Sequence, residues 1–108
     1  MENIKDITVF AKTNFRNKDR IFGIKTVDRR QHMYVIGKTG TGKTTMLFNV
    51  ALQDIINGRG VCIVDPHGEF VETVMKRIPK ERLKDVVYFN PIDAEHPIGF
   101  NVLEVSDL

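Results

Sequence analysis

His32-Met33-Tyr34-Val35-Ile36-Gly37-Lys38-Thr39-Gly40-Thr41-Gly42-Lys43-Thr44-Thr45 leads from a mostly apolar run, through a glycine-rich loop, into a stretch without proline or glycine as far as Asn57. The apolar run stops at a glycine, the profile of a central, buried strand of a parallel sheet. The stretch after the loop sets Leu47, Phe48, Val50, Ala51, Leu52, Ile55 and Ile56 on one wide apolar face. A helix packed on a sheet has that face, and Asn57-Gly58 is a natural stop for it. Strand, glycine loop and helix form the unit around which the rest of the chain is arranged.

Downstream, Val61-Cys62-Ile63-Val64 is a second buried-strand candidate that ends at Asp65-Pro66. Glu69–Ile78 has helical spacing in Phe70, Val71, Val74 and Ile78, and Pro79 ends it. Pro79–Lys84 is a further short helical turn, and Val86-Val87-Tyr88-Phe89 a third strand closed by Asn90-Pro91. Upstream, Ile4–Ala11 and Ile21–Thr26 read as short strands, Thr13–Arg20 as a polar loop and Val27–Gln31 as a charged turn. The expected fold is therefore α/β. Residues 1–31 form a short β lead-in, and residues 32–108 a parallel-sheet core of alternating strands and helices with right-handed crossovers. The ligand site of such a sheet lies at the carboxyl ends of its strands, where the glycine loop falls.

Gly37-x-x-x-x-Gly42-Lys43-Thr44 matches the Walker A pattern at every fixed position. Its chemistry asks for each residue type. Glycines let the backbone of Gly37, Lys38, Thr39, Gly40, Thr41 and Gly42 wrap tightly and turn its N–H groups inward. The helix that begins near Lys43 adds its positive end. Lys43 can reach the β- and γ-phosphates of a nucleoside triphosphate, the Thr44 hydroxyl can ligate Mg²⁺, and Thr45 can donate to the α-phosphate. Mg·ATP is the expected ligand.

Asp65 follows four apolar residues, 22 residues after Lys43 and across one helix. It is a candidate to hold Mg²⁺ through a water and to assist catalysis beside Lys43; the competing role is to cap the following turn and helix. His67 and Glu69 could approach the γ-phosphate or a neighbouring subunit; the competing reading is that Gly68 makes the turn and Glu69 complements a helix N-terminus. If a further strand is inserted between the two core strands, Asp65 sits one strand away and the catalytic carboxylate comes later. Cys62, Tyr34, Tyr88 and Phe89 read as strand residues of the core. Ile98-Gly99-Phe100-Asn101 is either core or a ledge for an adenine ring. No zinc-ligand spacing and no hydrolase triad is present.

The 108-residue chain suffices for one small domain. Its single cysteine excludes an internal disulfide, and no apolar run reaches the ~20 residues of a membrane helix, so a cytoplasmic setting is expected. Net charge is only +2, but Lys12, Arg16, Lys18, Arg20, Lys25, Arg29 and Arg30 crowd one segment against Asp19 and Asp28. Such a basic segment is either a solvated surface or a contact for nucleic-acid phosphates.

Taken together, Val35–Thr45, Val64-Asp65-Pro66-His67-Gly68-Glu69, Val87-Tyr88-Phe89-Asn90-Pro91 and His96-Pro97-Ile98-Gly99-Phe100-Asn101 resemble the HerA–FtsK superfamily. The branch most resembled is that of bacterial type IV secretion DNA-binding or coupling ATPases. The resemblance implies a RecA-like P-loop ATPase that assembles as a homo-hexamer and moves DNA through its pore. It gives Lys43 and Thr44 the phosphate and magnesium roles and matches Asp65–Glu69 to the family's second-strand motif. It places the Walker B acid pair, the sensor and the arginine finger further along, and no apolar run ending in Asp-Glu follows Asp65. The expectation is therefore the N-terminal part of such a domain, with a genuine N-terminus, a truncated sheet and little hydrolysis on its own. The alternatives are a non-motor nucleotide-binding or assembly module and a protein-secretion ATPase.

Overall fold

The computed structural model describes residues 6–97 and Gly99. Its regular elements are strands β1 (Ile7–Lys12) and β2 (Ile21–Lys25), helix α1 (Lys43–Ile56) and helix α2 (Glu69–Met75). Short 3₁₀ turns cover Asp28–Arg30 and Lys80–Asp85. The chain is a small α/β protein.

β1 and β2 form an antiparallel hairpin, with Ile7 opposite Lys25, Thr8 opposite Ile24 and Val9 opposite Gly23. The register then shifts by one, so that Ala11 faces Phe22 and Phe10 is the extra residue of a bulge. Gly23 is dictated by proximity: a Cβ there would stand 2.0 Å from the Thr8 carbonyl oxygen. The bulge brings Phe10 edge-on to Phe22, with ring centroids 5.7 Å apart, a favoured aromatic geometry.

Helix α1 packs on β1 and on α2. Its buried apolar residues are Val50, Ala51 and Ile55, which Val74 of α2 joins. In the middle of that stripe lies Asp54, only 7% exposed. Its carboxylate takes both terminal nitrogens of Arg29, at 2.6 and 2.5 Å, and Nη1 of Arg59 at 3.2 Å. Arg29 also donates to the hydroxyl of Thr8 at 2.8 Å, and Arg59 to that of Thr26 at 2.9 Å. One residue earlier, Gln53 accepts from the Val9 N–H at 3.0 Å and donates to the Val9 carbonyl at 2.6 Å. A bidentate guanidinium pair and an amide-to-backbone pair thus clamp the hairpin to α1. The hydrogen bonds from Arg29 hold the Asp54 carboxyl below the ordinary carboxylate range, against the opposing effect of burial.

The two helices and the hairpin form where their sequence expects them, within a few residues. The parallel core does not. Among the described residues the only sheet is the two-stranded antiparallel one, and segments 32–36, 61–64 and 86–89 carry no ladder. Tyr34 is 86% exposed and Val64 90%; Ile36, Val87, Tyr88 and Phe89 are exposed too, and so is Cys62, against the expectation of a buried core. The physical reason lies in what the runs need. An apolar strand is buried only when neighbours on both sides satisfy its backbone and helices cover its faces. Here the buried stripe of α1 is used on the hairpin and α2, and the three runs have no partner strands among the described residues. The radius of gyration, 17.4 Å, accordingly exceeds the about 13 Å of a compact chain of this length. The β lead-in packs on α1 and is part of the best-packed region. Ile98, Phe100 and Asn101 of the adenine-ledge candidate lie outside the described residues.

Candidate functional site

The glycine loop ends at the first residue of α1, as a phosphate-binding loop must. Gly40 and Gly42 have φ of 82° and 88°, a left-handed conformation that costs an L-residue with a side chain roughly 1–2 kcal/mol. Gly42 is also the N-cap of α1, and its carbonyl accepts the first helical bond, from Met46 N at 2.9 Å. The amides of Lys43, Thr44 and Thr45 therefore have no acceptor within the helix. At the other end of the loop, a Cβ on Gly37 would meet the Thr41 hydroxyl at 2.6 Å.

The loop is held by its own polar groups. The Lys38 carbonyl accepts from Thr41 N at 3.3 Å, the Thr41 hydroxyl at 2.7 Å and Lys43 Nζ at 2.7 Å. Lys43 Nζ also donates to the Gly37 carbonyl at 2.5 Å. An ammonium has three N–H donors, so the Lys43 charge is anchored over the loop with one donor left for an incoming anion. Lys38, Thr39, Gly40, Thr41, Thr44 and Thr45 are exposed. The exposed loop thus combines left-handed glycines, first-turn amides and a fixed cation, the donor set that a chain of phosphates requires.

Asp65 uses its carboxylate locally. One oxygen accepts from His67 N at 3.0 Å, the other from Phe70 N at 2.8 Å and Val71 N at 3.3 Å. These bonds, that from His67 foremost, keep its pKa below the ordinary range. They also tie the turn at Gly68, with φ of 84°, to the first residues of α2. The Gly68 N–H adds to these bonds, so the carboxylate is engaged with the backbone of its own turn. Thr44 and Asp65 line one open cleft of about 480 Å³, together with Leu47, Val50, Ala51 and Phe70. The structure therefore brings the two magnesium-ligand candidates to the same cleft, which Lys43 does not line. His67 and Glu69 are exposed on the turn.

The Arg29–Asp54–Arg59 cluster and Gln53 were missed by sequence reasoning, although one signal was present. Asp54 stands four residues after Val50 and three after Ala51, inside the apolar stripe, and a carboxylate there needs a cation.

No helix among the described residues is long and apolar enough to cross a membrane. No curated protein and no solved structure matches the chain. The family described as Helicase HerA, central domain, matches residues 24–108, from the end of β2 through the glycine loop and α2 and onward. With its loop, helix and second motif all inside that match, the chain belongs to the HerA helicase central-domain family.

Proposed function

We propose that the chain is the ATP-binding portion of a DNA-translocating ATPase, close to the type IV secretion coupling branch, working in the cytoplasm as part of a homo-hexamer. The observation that carries this reading is the loop itself: two left-handed glycines and an anchored Lys43 at the start of α1. Gly37 to Thr45 would cradle the triphosphate, Lys43 would meet the β- and γ-phosphates, and Thr44 would ligate Mg²⁺. Asp65, which lines the same cleft as Thr44, would hold a magnesium-bound water. Bound Mg²⁺ would neutralise charge on the phosphates during hydrolysis. The parallel RecA-like core is completed, on this reading, when segments 32–36, 61–64 and 86–89 gain neighbouring strands. DNA is the partner proposed from family membership and from the basic segment between Lys12 and Arg30.

Calorimetric titration of Mg·ATP into the chain and its Lys43→Ala variant, both checked for helix content by circular dichroism, tests the site. Loss of the charged contact, worth about 1.5–3 kcal/mol, weakens binding roughly tenfold or more. Equal affinity in the two proteins, or no binding by a folded wild type, sinks the reading.

A further inference from the structure

The hairpin ends in a tip that the packing of the molecule does not use. Phe15 and Lys18 bridge across a two-residue turn in which Arg16 and Asn17 have φ of 51° and 55°. Two consecutive left-handed residues make the type I′ turn of tight hairpins, for which Asn-Gly is the favoured sequence. Arginine is an unfavoured residue at that position, yet the turn is firmly stapled. The Thr13 hydroxyl donates to the Lys18 carbonyl at 2.7 Å and accepts from Arg20 N at 3.0 Å, and Thr13 N donates to the Arg20 carbonyl at 2.8 Å. The tip presents Phe15, 69% exposed, with the Arg16 guanidinium 5.0 Å from its ring centroid. The local acid, Asp19, is taken by Lys12 at 3.2 Å, so the charges of Arg16, Lys18 and Arg20 are not balanced within the turn.

A single exposed aromatic or a few surface cations would call for no explanation. Their combination on one rigid projection has a specific chemical fit. A single nucleic-acid strand offers phosphates to cations and unstacked bases to an aromatic face, and proteins bind such strands with this pair of elements. A duplex keeps its bases stacked, so it would use the cations and leave Phe15 idle. The mounting of the hairpin adds to the case. Gln53 and the Arg29–Asp54 pair fix β1 to the helix whose first residue is Lys43. A strand held at the tip would therefore be held by an arm joined to the phosphate loop through one helix.

We propose that the tip formed by Phe15, Arg16, Lys18 and Arg20 is a contact for single-stranded nucleic acid, with Phe15 stacking on a base and the three cations on phosphates. The proposal rests on the preceding reading only in taking the strand to be DNA; the site is read from the hairpin. Fluorescence anisotropy of a labelled oligothymidylate, measured against salt concentration, tests it in the wild type, Phe15→Ala, Phe15→Tyr and the triple alanine variant of Arg16, Lys18 and Arg20. Phe15→Ala should weaken binding about tenfold with an unchanged salt slope, and Phe15→Tyr should retain it, since one base stack is worth roughly a factor of five to a hundred. The triple variant should lower the salt slope by about 2, at ~0.7 per phosphate on a single strand. Mg·ATP titrations of the same proteins separate the two readings. Loss of oligonucleotide binding with nucleotide binding intact, or absent throughout, supports the tip as the contact. Phe15→Ala that binds like wild type, a duplex that binds as well as the single strand, or a wild type that binds Mg·ATP and no oligonucleotide overturns it.

Discussion

The hairpin and the C-terminal half of α1 contrast sharply with the three apolar runs at 32–36, 61–64 and 86–89. The first region is apolar with a few polar residues set into it, and those are satisfied: Thr8 is 2% exposed and Asp54 is buried against two arginines. The second is apolar in sequence and open, with most of its large side chains exposed. Hydrophobicity alone thus fails to say which part of a chain packs. A charge pair or an amide-to-backbone pair completes itself from residues at hand, whereas an apolar strand waits for neighbours on both edges.

Removing the clamp should have the largest effect on this contrast. Asp54→Ala leaves Arg29 without its carboxylate, and breaking such a pair costs several kcal/mol. Because the arginine side chains keep 24% and 29% of their surface exposed, a loss of about 3 kcal/mol, the low end of that range, is expected in urea unfolding. The same pair sets the acid response. Asp54 and Asp65 have folded pKa values below the ordinary one. Their stabilisation is therefore complete above the unfolded value of about 3.9 and is lost as pH falls through the lowered folded values. The wild type should show a flat stability from neutrality to about pH 5 and a decline below it. In Asp54→Ala that decline should be shallower; an equally steep one would remove Asp54 from the account.

Hydrogen exchange compares the two regions directly. Amides of Val50 to Ile55 in α1 should exchange roughly 100-fold or more slowly than those of Tyr34 to Ile36, Cys62 to Val64 and Val87 to Phe89. Equal protection would mean that the runs are paired in solution and that the contrast is false. Gly23→Val is the smaller of the two substitutions. Its side chain would collide with the Thr8 carbonyl, and forced overpacking of this kind costs about 1–3 kcal/mol. Thermal unfolding should register it, while Mg·ATP affinity should stay as in the wild type.

What was legible in the sequence follows the same division. The loop from Gly37 to Gly42, the start of α1 at Lys43 and the stop at Asn57 were readable, because glycine, helix propensity and caps act over a few residues. The turn at Gly68 and the capping role open to Asp65 were readable for the same reason. The parallel sheet expected from three apolar runs depends on pairing between distant segments, and the described residues contain none of it. The Arg29–Asp54 pair spans 25 residues, so no local pattern announces Arg29 as the partner, even though Asp54 in an apolar stripe announces that one exists. Cys62 and Tyr34 were misjudged with the strands on which their burial depended.

The amide of Gln53 has one more consequence. The N–H and C=O of Val9 that it occupies point away from β2, toward the side on which another chain could join the hairpin. An unpaired strand edge invites such additions, and with them aggregation. A glutamine side chain docked there imitates one residue of a neighbouring strand and stops the ladder at its first rung. The hairpin is thereby closed to growth on that side, and any sheet the remaining segments build must nucleate elsewhere.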